Sequence, residues 1–135
     1  MWLKQESEKT MFKRFTKNPK RETNDCGIRS FANAENKDWE TVAKEIFDIA
    51  LSEYTMPNDA SVFTKYAEKY GYEENYIFPD NPFNIERFAQ THPQGRYVAL
   101  VGDDEGGHAV SIIDGDWYDL VDSAKHEIMS YWVIK

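Results

Sequence analysis

The sequence contains a single cysteine, Cys26, among its 135 residues. A lone cysteine cannot form an internal disulfide, which excludes the small disulfide-stapled secreted domains and favours a reducing compartment. It also argues against a structural zinc site, because such sites normally take several Cys and His ligands. We therefore expect neither a metal nor an organic cofactor.

Long apolar runs are missing as well. No stretch approaches the ~20 apolar residues of a membrane-spanning helix, and the opening MWLKQESEKT is too polar for a signal peptide. These absences predict a cytoplasmic protein with no membrane partner. The hydrophobic fraction of 41% is nevertheless typical of a globular chain rather than a disordered one. The length fits one domain over residues 1–135.

Positive charge is scarce outside the N-terminal segment. Residues 1–21 carry seven Lys or Arg and two Glu, whereas the rest of the chain carries nine basic and 22 acidic residues. Because phosphate contacts need a positive surface, we expect no nucleic acid to bind this acidic body. The basic run KTMFKRFTKNPKR could serve as a nucleic-acid or membrane arm. Its Met11, Phe12 and Phe15 instead favour an accessory arm over residues 1–22 that is flexible or packed at an edge.

Hydrophobic periodicity predicts helices in the first half of the chain. A short helix is expected over residues 26–34, with Asn24 or Asp25 as its N-cap. Apolar residues at helical spacing predict a second helix that begins after Asp38 and a third that ends near Gly71.

The second half predicts strands and one further short helix. The helix is expected over residues 84–92, and the candidate strands cover residues 74–78, 96–102, 108–113, 116–121 and 128–134. The dipeptide Asp114-Gly115 favours a tight hairpin between two of these strands. Helices followed by an antiparallel sheet are an α+β pattern.

Cys26 is the first residue with evident chemistry. The sequence NDCGIRSFANA places it in the first turn of a predicted helix, where the helix dipole and the backbone N–H groups favour a thiolate. Gly27 would leave the neighbouring backbone open to a substrate carbonyl. The alternative is that Cys26 is a small, buried hydrophobic residue, as free cysteines often are.

Three histidines could act as the base for this thiol. His92, in THPQG, ends a predicted helix, and His126, in the polar SAKHE, is expected at the surface. His108 begins the apolar strand HAVSII, so it could face a cleft while the strand holds it in place. We favour His108, with an exposed strand-end residue as the alternative.

A nucleophile and its base usually need a third group that orients the imidazole. With a two-residue hairpin turn, His108 lies opposite Val121 on the next strand. Strict pairing then places Asp119 diagonal to His108. Asp122, one residue beyond Val121, could reach the imidazole where the strand ends or bulges. The register by itself favours Asp119.

NDCG at a helix start, followed far downstream by HAV on a strand, resembles the papain-like cysteine peptidase superfamily. The closest likeness is to the compact domains that cut bacteriocin leader peptides and to small phage or bacterial proteins of papain-like appearance. The resemblance, which covers about a third of the chain, implies a papain-like fold with Cys26 as nucleophile and His108 as base. In that superfamily the third residue ends the strand after the histidine strand. Asp122-Ser123 stand there, so the resemblance selects Asp122, with Asp119 as the fallback.

One position departs from the superfamily pattern. A glutamine usually lies six residues before the cysteine, where its amide helps to form the oxyanion hole. Here that residue is Lys20, which is a mobile point charge rather than a fixed amide. Asn24 is the other candidate donor, and the backbone N–H of Cys26 would supply part of the hole. Loss of one oxyanion donor typically lowers a rate by about 100- to 1000-fold.

The resemblance implies a cysteine peptidase that cleaves a peptide or isopeptide amide in a peptide or protein substrate through a thioacyl intermediate. Two alternatives stay open. The same triad could run deamidation or acyl transfer, or the chain could be an inactive papain-like binding or inhibitor module, as the missing glutamine suggests. The sequence does not determine the substrate or the oligomeric state.

Overall fold

The computed structural model describes residues 11–20, 24–78, 83–103 and 106–135. Within these ranges the chain forms four helices and a six-stranded mixed sheet. In chain order the elements are β1 (Met11–Arg14), α1 (Cys26–Glu35), α2 (Trp39–Ser52), α3 (Ala60–Lys69), β2 (Glu74–Tyr76), α4 (Ile85–Thr91), β3 (Arg96–Asp103), β4 (Gly106–Ile113), β5 (Asp116–Asp119) and β6 (Ile128–Ile134). The α+β expectation is confirmed.

The sheet order is β1-β5-β4-β3-β6-β2. All neighbouring strands run antiparallel except β1, which pairs in parallel with β5. The expectation of a purely antiparallel sheet is therefore wrong at one edge. The reason is that residues 11–14 of the basic N-terminal segment add a parallel strand there. Packing of this arm at an edge was one of the two expectations, but a parallel strand was not predicted.

The β4–β5 hairpin has the predicted two-residue turn. Asp114 and Gly115 have φ angles of 49° and 83°, the positive values that a tight hairpin turn of this kind requires. Ile113 pairs with Asp116 across it. This turn determines which residues of β5 and its continuation can approach His108.

Helix α1 lies at the centre of the fold. Eight of its ten residues are buried, and it packs mainly on β4 and α2. A helix that is covered nearly all round belongs to the core rather than to the surface. Since α1 begins at Cys26, the cysteine is brought to the part of the sheet that carries His108.

Alternate residues of the central strands face different helices. Val98 and Leu100 pack in a cluster with α1, α2 and α3, whereas Ala99 and Val101 pack in a second cluster with α4. Because successive strand residues point to opposite faces, helices cover both sides of the sheet.

None of the helices in the described ranges is long and apolar enough to cross a membrane.

Candidate active site

Cys26 is the first residue of α1, and 8% of it is exposed. Asp25 occupies the N-cap position but makes no side-chain cap hydrogen bond, because its carboxylate faces Arg29 and Trp39 instead. The predicted start of the helix is confirmed, whereas a capping side chain at Asn24 or Asp25 is not found. The thiol therefore lies at the N-terminus of a buried helix, where the helix dipole favours negative charge.

His108, in the first half of β4, joins Cys26 to Asp119. Cys26 is a neighbour that raises the pKa of His108, and His108 Nε2 lies 2.8 Å from Asp119 Oδ2. With Nε2 held in this way, Nδ1 is the ring nitrogen left for the thiol. The His108 side chain is 21% exposed, so one edge of the pair reaches the surface.

Asp119 is the last residue of β5 and is almost fully buried. Its Oδ2 accepts from His108, while its Oδ1 accepts from Arg29 Nη2 at 3.1 Å and from the Leu120 backbone N–H at 2.7 Å. Three donors thus fix one carboxylate. A buried carboxylate needs such partners, because an unpaired charge in the interior is costly.

The expectation that Asp122 would contact His108 is wrong. Asp122 Oδ1 accepts from Trp117 Nε1 at 2.9 Å and from the Ala124 backbone N–H at 3.0 Å. The hairpin register explains the difference. The β4–β5 pairs run from Ile113–Asp116 to Ser111–Tyr118 and β5 ends at Asp119, so Asp122 lies three residues past the strand, in the loop that follows.

The charges around His108 favour its protonated form. Burial by itself lowers the pKa of His108, but the hydrogen bonds and charges of Asp119 and Cys26 outweigh it and raise the pKa to about 10. Burial likewise raises the pKa of Asp119, yet the His108 hydrogen bond and charge, the Leu120 N–H and the Arg29 charge hold it below its usual range. At neutral pH an imidazolium thus lies between the thiol and an ionised carboxylate.

Asp25 and Arg29 belong to the site and were not predicted. Arg29 donates to Asp25 Oδ1 at 2.6 Å and to Asp119 Oδ1 at 3.1 Å, and all three side chains are at most 6% exposed. An arginine among small and apolar residues in GIRSFANA was the available signal. It indicated a buried charge that needed carboxylate partners on neighbouring elements.

Gly27 has a different role from the one expected. A Cβ built on Gly27 would overlap the ring of Phe63 in α3. The glycine therefore lets α3 approach the start of α1, and Phe63 covers that side of the backbone. The expectation that Gly27 leaves this backbone open to a substrate is wrong.

The other candidate residues are not among the groups that shift the pKa of His108. Lys20 and Asn24 are exposed and line a groove described below. His92 follows the last helical residue of α4 and stacks on Phe88 at 3.8 Å between ring centroids. His126 lies between β5 and β6, where its carbonyl accepts from the Ile85 backbone N–H. The geometry assigns neither of these two histidines to Cys26.

A groove of about 700 Å³ opens beside the start of α1. Neither Cys26 nor His108 lines it, but Asn24, Asp25 and Ile28 do, and each lies within two residues of Cys26. Its apolar wall is formed by Ile28, Trp39, Phe47, Met56 and Pro57. A groove of this size is in the range that holds small ligands or substrate side chains.

Among the residues that the structure describes, no group of three or more His, Cys, Asp or Glu side chains could hold a metal ion. Comparisons of the chain with protein-family models, with curated proteins and with solved structures found no match.

Proposed function

We propose that the protein is a thiol hydrolase, and specifically a cysteine peptidase, with Cys26 as its nucleophile. The observation that carries the proposal is the hydrogen bond between His108 Nε2 and Asp119 Oδ2, with Cys26 as the other neighbour that raises the pKa of His108. Nucleophile, base and orienting carboxylate come from three different elements, α1, β4 and β5. This is the arrangement that nucleophilic catalysis by a thiol requires.

In the proposed reaction His108 takes the Cys26 proton. The thiolate then attacks an amide carbonyl and forms a tetrahedral intermediate. The Cys26 backbone N–H would stabilise the oxyanion. His108 then gives its proton to the leaving amine, which departs and leaves a thioacyl enzyme. A water molecule, deprotonated by His108, hydrolyses the thioester and regenerates the thiol. Asp119 stays ionised throughout and keeps the imidazole of His108 in its orientation.

The groove supports a polypeptide substrate with a large apolar side chain. Phe47 and Met56 are 52% and 68% exposed at its wall, an unusual exposure for residues of their size. A substrate residue in the groove would cover this surface, and its neighbouring amide would lie toward the start of α1. We therefore propose that the groove binds the substrate of this active site.

Deamidation remains the second candidate for this site. The same thiolate would attack a side-chain amide instead of a backbone amide and release ammonia. The open groove beside the start of α1, rather than an enclosed pocket, favours an extended polypeptide over a small molecule in either case. Product mass separates the two reactions, because deamidation adds about one dalton whereas cleavage divides the chain.

Alkylation of Cys26 by iodoacetamide as a function of pH tests the proposal. Every label reports on Cys26, because it is the only cysteine. We expect rapid labelling below pH 7 that His108→Ala slows, with His126→Ala as the control for loss of a histidine elsewhere. A labelling midpoint near the ordinary thiol value of ~8.5 in the wild type, unaffected by His108→Ala, would refute the peptidase and deamidase proposals alike.

A further inference from the structure

Asp25 and Arg29 form a buried ion pair at the start of α1. The two residues are one helical turn apart, and Asp25 directly precedes the proposed nucleophile, Cys26. Arg29 Nη1 is 2.6 Å from Asp25 Oδ1, and each side chain is 6% exposed. The second oxygen of Asp25 accepts from Trp39 Nε1 at 2.9 Å and from Asn18 Nδ2 at 3.2 Å. Buried pairs of this kind seldom add net stability, since desolvation offsets the attraction. Their presence in a small core therefore suggests another role.

Arg29 also reaches across to the sheet. Its Nη2 donates to Asp119 Oδ1 at 3.1 Å, while Asp119 Oδ2 lies 2.8 Å from His108 Nε2. The guanidinium is a rigid planar fork, so its two terminal nitrogens set the relative placement of the two carboxylates that they hold. Asp25 thereby holds Arg29 in place, and Arg29 holds Asp119 where it hydrogen-bonds to His108.

We infer that Arg29, anchored by Asp25, is a positioning residue for the Cys26–His108 pair: it holds Asp119 so that Oδ2 faces His108 Nε2. This inference deepens the proposed function and rests on it. Arg29 touches none of the reacting atoms. Among the residues that the structure describes, the charged groups that act on His108 are Asp119 from β5 and Cys26 from α1, and Arg29 acts on it through Asp119.

The substitution Arg29→Lys tests this role because it keeps the positive charge and removes the fork. A single ammonium nitrogen cannot hold both carboxylates in the same geometry. Arg96→Lys is the matched control, since Arg96 Nη1 also contacts α1, at the Ala34 carbonyl at 3.0 Å, without joining the network. The measurement is the pH profile of Cys26 alkylation by iodoacetamide, together with thermal unfolding.

We expect Arg29→Lys to raise the alkylation midpoint by about one pH unit, which corresponds to about tenfold slower labelling at a pH well below both midpoints. Arg96→Lys should leave the midpoint unchanged. An Arg29→Lys variant with a lower melting temperature but the wild-type midpoint would show a purely structural pair and overturn the inference.

The two proposals fail in different ways. If wild-type Cys26 shows no enhanced labelling at low pH, the active site and its positioning residue are both refuted. If the wild type labels rapidly and Arg29→Lys keeps the same midpoint, only the positioning role falls. Should Arg29→Lys not fold, Asp25→Asn/Arg29→Gln removes the cation together with its anchor. The same rise in midpoint is expected of this double variant, and an unchanged midpoint overturns the inference.

Discussion

Replacing Asp119 by Asn removes the charge that faces His108 while keeping the shape of the side chain. Asp119 is almost fully buried and contacts both His108 and Arg29. Breaking a buried pair by neutralising one partner typically costs about 3–5 kcal/mol. We expect a loss of this order in the free energy of unfolding of Asp119→Asn at pH 6. Asp122→Asn keeps an oxygen for Trp117 at an exposed position, and we expect it to cost less than about 1.5 kcal/mol.

The pH dependence distinguishes a charge effect from a general loss of packing. The pKa of His108 is about 10 in the folded protein, above its usual value of 6.5. The stability from this raised pKa is therefore fully present below about pH 6.5 and is lost as the pH rises toward 10. In Asp119→Asn, whose His108 keeps only Cys26 as a partner that can carry negative charge, this loss should be smaller and should fall at lower pH.

Urea unfolding at pH 6, 8 and 10 measures how the free energy of unfolding changes with pH, with Asp122→Asn as the matched control. The difference in stability between the wild type and Asp119→Asn should shrink from pH 6 to pH 10. A difference that is constant over this range would show that Asp119 acts through packing alone. A larger effect of Asp122→Asn than of Asp119→Asn would refute the assignment of the carboxylate that orients His108.

Three further predictions concern other parts of the structure. Gly27→Ala should lower the free energy of unfolding by about 1–3 kcal/mol, because its methyl group would overlap the ring of Phe63; the double variant with Phe63→Leu should recover part of that loss, and full stability of Gly27→Ala in urea would contradict the packing described. Phe47→Ala should raise KM for a peptide with a large apolar residue by about tenfold, in line with the burial of one such side chain. Leu51→Ala, 75% exposed one turn along α2 and outside the groove, should leave KM unchanged, so equal effects of the two substitutions would remove the groove from the substrate site. Gly115→Ala should cost about 1 kcal/mol in thermal or urea unfolding, because φ at this turn position is 83°, and no loss would mean that the turn relaxes to another form.

The hairpin shows how far local sequence reasoning reaches. Asp114-Gly115 predicted a two-residue turn, and the register that follows from it pointed to Asp119 before any family pattern was applied. The resemblance to papain-like enzymes then moved the choice to Asp122, which contacts Trp117 instead. In this chain the tight turn sets the register of β5, which ends at Asp119. The pattern taken from papain-like enzymes assumed a longer strand.

The buried Asp25–Arg29–Asp119 network lay beyond such reasoning. Asp25 and Arg29 are four residues apart in a helix, so their pairing could have been anticipated from spacing. Asp119 is 90 residues further along the chain, and nothing local specifies that β5 passes beside Arg29. The same holds for β1, whose parallel pairing with β5 depends on an edge left open by strands formed far downstream.

By itself, the sequence determined several of the elements: a helix that begins at Cys26, a strand that carries His108, and a two-residue hairpin turn after that strand. These follow from periodicity, N-terminal helix signals and turn residues, which act over a few neighbouring positions. Tertiary structure decided that α1 would be buried against β4, that Phe63 would cover Gly27, and that Arg29 would hold two carboxylates. Those contacts join residues far apart in the chain, and only the packing of the helices on the sheet brings them together.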